Sequence, residues 1–215
     1  MPTIRGKNID VLFDADRLRE RCASLGREVA RSLASDQGGA APQGKLEGEA
    51  AGQDSTGKDS TGEGSTGESH VRDPLVIAVL KGSFIFAADL IRAMHVAGLS
   101  PDVEFITLSS YGSGTVSRGV TIVKDIDSDV AGRDVILVDD ILESGRTLDF
   151  ARTLMLERGA RSVRVVVLLD KPGHRKAAIE PDHTGFECPD LFVVGYGMDA
   201  GYAFRELPFV GVVTE

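Results

Sequence analysis

The chain is short of positive charge. Its formal net charge of −9 at pH 7 supplies no clustered lysine and arginine to neutralise a phosphate backbone, which argues against a nucleic-acid partner. Cysteine is scarce as well: Cys22 and Cys188 are the only two. They lie far apart and lack metal-ligand spacing, so two reduced thiols are expected rather than a disulfide framework or a zinc site. No apolar run approaches the roughly 18 residues that a membrane helix needs. The start, Met1-Pro-Thr-Ile-Arg-Gly-Lys-Asn, has no apolar segment of a secretion signal. These absences predict a soluble, cytoplasmic protein with neither a membrane nor a nucleic acid as partner.

Apolar residues are missing from one stretch in particular. Between Ser35 and Asp73 there is almost none, and Asp54-Ser-Thr-Gly-Lys, Asp59-Ser-Thr-Gly-Glu and Gly64-Ser-Thr-Gly-Glu follow in tandem. Such a composition cannot bury enough surface to offset the entropy of ordering, and 35–73 reads as a disordered insertion. It holds eight acids and three bases, hence five of the nine net negative charges. The remainder, 1–34 and 74–215, is therefore only mildly acidic and is sized for a single domain. Loop-closure entropy grows slowly with length, so a fold tolerates an insertion of this kind.

What is present outside that stretch is an alternation of helix and strand. Leu18, Cys22, Leu25, Val29 and Leu33 recur at helical spacing, which predicts an amphipathic helix over 15–34 with Asp14 as its N-cap. Leu75–Leu80 is a short apolar strand, and a helix follows from about Phe84 to Ala97, stopped by Gly98. Strands are expected at Val103–Ser109, Thr121–Lys124, Asp134–Val138 and Val163–Leu169, with a helix at Thr147–Arg158. This order predicts an α/β fold with a mostly parallel sheet. Beyond Lys171 the pattern loosens into short strands, Leu191–Val194 and Val210–Val213, an appendage that the N-terminal residues could share. The glycine- and serine-rich 110–120 segment reads as a loop.

The most informative run is Val135-Ile-Leu-Val-Asp-Asp-Ile-Leu-Glu-Ser-Gly-Arg-Thr, ending at Thr147. A β-branched strand delivers Asp139 and Asp140 where open α/β sheets bind ligands. Ser144, Gly145 and Thr147 then offer hydroxyls and free N–H groups at a helix start, a cradle for phosphate. Carboxylates beside an anion site suit a sugar phosphate. The run has neither G-x-G-x-x-G nor G-x-x-x-x-G-K-[ST], so dinucleotide and P-loop readings do not fit.

Taken whole, the run resembles the phosphoribosyl-diphosphate (PRPP) motif of type I phosphoribosyltransferases. Further blocks narrow the resemblance to the hypoxanthine(-guanine) branch: Val79-Leu-Lys-Gly-Ser-Phe, Ser110-Tyr111, Leu168-Leu-Asp-Lys-Pro-Gly-His-Arg, Pro189-Asp-Leu-Phe-Val-Val-Gly-Tyr-Gly-Met-Asp and Tyr202-Ala-Phe-Arg-Glu-Leu-Pro. The resemblance is loose over 4–33, close over 74–215, and does not include the insertion. It implies a type I phosphoribosyltransferase fold: a mostly parallel central sheet flanked by helices, with a small hood built from the C-terminal part and the N-terminus. It implies transfer of ribosyl 5-phosphate from PRPP to N9 of a 6-oxopurine, with Mg2+ and release of pyrophosphate, in a homodimer or homotetramer.

Residue roles follow from the same resemblance. Asp139 and Asp140 would hold the ribose hydroxyls directly or through metal, and Ser144, Gly145, Arg146 and Thr147 the ribose phosphate. Lys81 and Gly82, after a cis Leu80–Lys81 peptide, would meet pyrophosphate together with Arg205, while Asp199 would hold Mg2+ with Asp139 and Asp140. Glu143 would be the acid/base at purine N7. Here the chain departs from the family, which usually has Glu at the position of Asp139 and Asp at that of Glu143. Phe192 would stack on the purine and Val193 would meet its pyrimidine edge. Lys171 sets specificity: an ammonium has donors and no acceptor, so it matches a 6-oxo group and opposes the amino group of adenine. Ser110 and Tyr111 would start a lid that excludes water from the activated sugar.

Three other readings share some of these features. A PRPP-sensing regulator could reuse the fold without catalysis, but the chain has no helix-turn-helix addition and no basic stretch. A transferase for xanthine differs only in the base pocket. An interaction hub working through 35–73 rests on composition alone.

Overall fold

The computed structural model describes residues 3–36, 73–110 and 119–214. The segment 37–72 and Tyr111, both singled out from the sequence, lie outside the described residues. In chain order the elements are β1 (Thr3–Ile4), β2 (Lys7–Phe13), α1 (Ala15–Asp36), β3 (Leu75–Leu80), α2 (Phe84–Val96), β4 (Asp102–Ser110), β5 (Val120–Lys124) and β6 (Asp134–Leu142). They continue with α3 (Arg146–Glu157), β7 (Ser162–Asp170), β8 (His183–Glu187), β9 (Val193–Val194) and β10 (Val210–Thr214).

A six-stranded sheet runs in the order β5-β4-β3-β6-β7-β8. All neighbours are parallel except β4 and β5. Strands covered on both faces need no polar alternation, and Leu75-Val-Ile-Ala-Val is buried without a break. Alternate residues serve two cores. Val76, Ala78, Ile136 and Val138 pack with the apolar stripe of α1 and with Phe86, Leu90 and Met94 of α2. Leu75, Ile77, Val135 and Leu137 pack with Leu148, Ala151 and Met155 of α3. Each fully buried Leu or Val contributes about 1.5–3 kcal/mol, and this sandwich holds the sheet between its helices. Asp14 caps α1 as expected, its Oδ1 accepting the Arg17 N–H at 2.9 Å.

The appendage is a second sheet, β1-β2-β10-β9, antiparallel throughout. It joins the first strands to the last, which makes it the hood that the resemblance implies. Ile9, Val194, Phe204 and Leu207 give it a small core of its own.

Two boundaries and one missed strand correct the sequence reading. β6 does not stop at Val138 but continues to Leu142, so Asp139 and Asp140 lie within the strand and not in a loop after it. The reason is β7, which pairs with β6 as far as Leu142↔Asp170. The strand expected over Leu191–Val194 is reduced to Val193–Val194, because β10 reaches only those two residues. The sequence reading also omitted β8, whose His-Thr-Gly-Phe-Glu has little apolar character and is set in place by pairing with β7.

Candidate active site

The site grows from the place where β3 leaves β6. Their pairing ends at Ala78↔Val138, while β7 accompanies β6 further. From Asp139 onward the strand therefore has one neighbour and one open edge. Each aspartate turns back on the strand: Asp139 Oδ1 accepts the Asp140 N–H at 2.9 Å, and Asp140 Oδ1 accepts the Ile141 N–H at 2.8 Å. Burial, with Asp140 adjacent, holds the Asp139 carboxyl well above the usual carboxylate range. Burial also raises Asp140, against the opposing effects of its hydrogen bonds and of Arg205. Two adjacent carboxyl groups withdrawn from water are an unfavourable arrangement unless a cation or hydroxyl donors complete it.

Facing Asp140 is the turn after β3. The Leu80–Lys81 peptide is cis, as the resemblance implies, and Gly82 lies directly against the aspartate. A Cβ at position 82 would fall 1.6 Å from Asp140 Oδ2. On the other side, a Cβ at Gly197, whose φ is +102°, would fall 2.1 Å from the Gly82 carbonyl oxygen. The 81–82 turn is thus clamped between the β6 end and the hood, and neither glycine has room for a side chain. The hood also brings Arg205, whose Nη1 donates to the Gly197 carbonyl at 2.6 Å and whose Nη2 pairs with Asp199 Oδ1 at 2.5 Å. Asp199 Oδ2 accepts the Tyr202 N–H at 2.7 Å.

At the end of β7, Lys171 is buried, and its Nζ donates to the Leu191 carbonyl at 2.7 Å. An ammonium has three donors, so two remain for other acceptors. Phe192 stands opposite with its ring two-thirds exposed, while Val193 is buried in β9. After β6, Gly145 takes φ +80° at the start of α3, where a Cβ would press on Ile179 at 2.7 Å. The Ser144 carbonyl accepts N–H groups of Lys176 and Ala177 at 2.9 and 3.1 Å. The N–H groups of Arg146 and Thr147 precede the hydrogen-bond ladder of α3, in which the Asp149 N–H meets the Gly145 carbonyl at 2.9 Å.

These groups converge on one cleft of ≈ 720 Å³. Lys81, Gly82, Asp140, Glu143, Lys171, Phe192, Val193, Asp199 and Arg205 all line it. Asp139 is buried behind Asp140, and Ser144, Gly145, Arg146 and Thr147 form the turn beside the cleft rather than its wall. Ser110 ends β4, whose Thr107, Leu108 and Ser109 reach the same opening. A larger and more apolar cavity of ≈ 980 Å³ between α1 and α2 shares no residue with it.

Sequence reasoning missed Arg175. Its Nη1 donates to the Glu143 carbonyl at 2.9 Å and its Nη2 meets Asp170 Oδ1 at 2.5 Å, so it ties the turn after β6 to the end of β7. Sequence reasoning also left His174 without a role and did not single out Asp190. The only signal was that His174, Arg175 and Asp190 fall inside blocks that resemble the family; no local spacing links them to Glu143.

Comparison with known proteins agrees with this geometry. Residues 67–200 match the family model described as a phosphoribosyl transferase domain. The hypoxanthine-guanine phosphoribosyltransferase of Bacillus subtilis is 49% identical over 141 residues, 65% of this chain and 77% of that protein. The hypoxanthine phosphoribosyltransferase of Escherichia coli is 44% identical over 142 residues, 66% of this chain and 78% of that one. A crystal structure of a hypoxanthine-guanine phosphoribosyltransferase from Bacillus anthracis superposes with a TM-score of 0.73 at 34% identity, covering 96% of this chain and 100% of that one. The chain belongs to the phosphoribosyltransferase family, in its type I fold and its hypoxanthine(-guanine) branch.

Proposed function

We propose that the chain is a purine-salvage enzyme that transfers the 5-phosphoribosyl group from PRPP to N9 of hypoxanthine and guanine, giving IMP and GMP with release of pyrophosphate. The observation that carries this reading is the convergence, in one cleft, of Asp140 with Asp139 buried beside it in the strand, a clamped Lys81–Gly82 turn and a buried Lys171. The Bacillus subtilis relative is a hypoxanthine-guanine phosphoribosyltransferase and the Escherichia coli relative a hypoxanthine phosphoribosyltransferase, which supports the reading.

The residues divide the reaction among them. N–H groups of the Ser144–Thr147 turn take the ribose phosphate, and Lys81, Gly82 and Arg205 take the pyrophosphate. The purine nitrogen N9 attacks C1′ as the bond from C1′ to the pyrophosphate oxygen breaks, and the electron pair leaves with pyrophosphate. The N7 proton of the base passes to Glu143. Positive charge develops at C1′, and Asp139 and Asp140 stabilise it in a site that excludes water. Lys171 donates to the 6-oxo group and Phe192 covers the ring. The chemistry of the donor set also fits Mg2+, a hard cation that takes oxygen ligands and usually binds one or two carboxylates plus substrate phosphates. Asp139, Asp140 and Asp199 would hold it, and when bound it offsets the charge of the leaving pyrophosphate.

The same reading places 1–34 and 74–215 in one domain, with 35–73 as an insertion of no catalytic role, and the enzyme in the cytoplasm as a homodimer or homotetramer. Among the described residues no helix is long and apolar enough to cross a membrane, and Cys22 and Cys188 are free thiols.

The test is a product assay with PRPP, Mg2+ and hypoxanthine, guanine, xanthine or adenine. IMP and GMP should form and AMP should not. Lys171→Ala should lower kcat/KM for hypoxanthine by about 10²-fold, the scale of a hydrogen bond to a charged group, while PRPP binding stays near wild type. No turnover of any 6-oxopurine, or equal loss of base and PRPP binding in Lys171→Ala, would overturn the assignment.

A further inference from the structure

Glu143 has its backbone fixed but its side chain does not share that restraint. Arg175 holds the Glu143 carbonyl at 2.9 Å, whereas the side chain is exposed at the mouth of the cleft. A glutamate carries one more rotatable bond than an aspartate, and every torsion left free dilutes the fraction of time spent in a reactive pose. A group that must meet one purine nitrogen needs a partner that limits this freedom.

Two residues with no role in the reading above stand beside it. His174 closes the short 3-10 turn Pro172–His174 that follows Lys171. Its Nε2 lies 2.7 Å from Asp190 Oδ2. One side-chain oxygen of Glu143, a ring nitrogen of His174 and an oxygen of Asp190 all lie within 4.8 Å of one another. Asp190 and Glu143 both line the cleft. The contact between His174 and Asp190 is also the second tie between these two segments, parallel to the 2.7 Å bond from Lys171 to the Leu191 carbonyl. The turn that bears the base-reading lysine is therefore the turn that brings an imidazole to the acid. His174 Nε2 meets Asp190, and a ring nitrogen lies within 4.8 Å of a Glu143 oxygen, a gap that rotation of the exposed Glu143 side chain can close to a hydrogen bond.

We propose that His174, oriented by Asp190, is a positioning residue that holds the Glu143 carboxylate toward purine N7. This rests on Glu143 being the group that takes the N7 proton. His174 is not among the residues that line the cleft, so it acts through Glu143. The longer side chain of Glu143 is what allows it to reach both the ring and the base, so an aspartate at the same position would not use His174.

The experiment is a set of steady-state measurements on the full chain: wild type, His174→Ala, His174→Gln, Glu143→Gln, Glu143→Asp, and His174→Ala combined with each Glu143 variant. Glu143→Gln should lower kcat by about 10²-fold or more, the range of general acid–base catalysis. His174→Ala should lower kcat about tenfold, as misplacement of a reacting group does, with KM for PRPP unchanged. His174→Gln, which keeps an N–H donor, should recover most of that loss. In the Glu143→Gln and Glu143→Asp backgrounds, adding His174→Ala should change kcat by less than about twofold, since coupling appears only between residues that act together. Wild-type kcat in His174→Ala beside an impaired Glu143→Gln overturns the positioning role. The same tenfold loss in the Glu143→Gln background also overturns it, because His174 would then act on the cleft wall independently of Glu143. An unimpaired Glu143→Gln overturns the N7 role itself, a result separate from either of those.

Discussion

The strand β6 has a buried aspartate near each end, and the two are treated in opposite ways. At the start, Asp134 Oδ1 accepts from Arg161 Nε at 2.9 Å and from Ser162 Oγ at 2.7 Å, and Oδ2 pairs with Arg161 Nη2. The Arg161 guanidinium holds its carboxyl below the usual range. At the far end Asp139 has a second acid as its neighbour, and burial raises its carboxyl well above that range. One strand thus completes its charge where only the fold depends on it and leaves charge incomplete where a ligand can supply the partner. An uncompensated buried carboxylate lowers stability, so Asp139 is retained at the expense of the free protein.

The sharpest way to break the comparison is to crowd the ligand end. Gly82→Ala would put a methyl group 1.6 Å from Asp140 Oδ2, so either the aspartate or the 81–82 turn must move. We expect kcat/KM for PRPP to fall by about 10²-fold or more, because small displacements at a reacting centre have effects of that size. Activity near wild type would mean that the clamp between Asp140, Gly82 and Gly197 does not matter to the chemistry. The matching change at the start of the strand should leave the rate alone. Asp134→Asn should keep kcat within about twofold but destabilise the fold by about 1.5–3 kcal/mol, the scale of hydrogen bonds to a charged group, as read by urea unfolding.

The contrast between these ends was only half visible in the sequence. Val135–Val138 announced the strand, and the Asp-Asp pair announced a site. Read from the sequence, the strand stops there because polar residues interrupt the apolar run. In the folded chain pairing with β7 continues to Leu142, and the polarity marks function rather than a loop. The β-α-β order was legible because each buried strand has an unbroken apolar run, as in Leu75–Leu80, Val135–Val138 and Val165–Leu169. By contrast, β2 was not, since Lys7-Asn-Ile-Asp-Val-Leu-Phe gains its place from β10, some 200 residues later. The cleft residues could be named by resemblance to a family. The grouping of Glu143, His174 and Asp190 could not, because three segments meet there and no spacing along the chain encodes it.

A milder prediction reverses the sign at the ligand end. Asp139→Asn removes a carboxylate that burial disfavours, so the free protein should become more stable even as transfer slows. A gain of about 1 kcal/mol corresponds to a Tm higher by about 2–4 °C in a protein of this size, measurable by calorimetry without substrates. A lower Tm would mean that Asp139 stabilises the fold through its bond to the Asp140 N–H, and the two ends of β6 would then differ less than their surroundings indicate.

The smallest effect concerns pH at the start of the strand. The Asp134 carboxyl titrates below its ordinary value of 3.8 in the folded chain and at about that value when unfolded. Its contribution is therefore fully present well above pH 3.8 and is lost as pH falls through the folded-state value. The stability difference between wild type and Asp134→Asn should be constant from about pH 7 to pH 5 and shrink only below about pH 4. Urea unfolding of both proteins at pH 7, 5, 4 and 3 reads this directly. A difference that persists undiminished in acid would assign the role of Asp134 to its shape and its neutral hydrogen bonds, and the charge pairing with Arg161 would no longer distinguish it from Asp139.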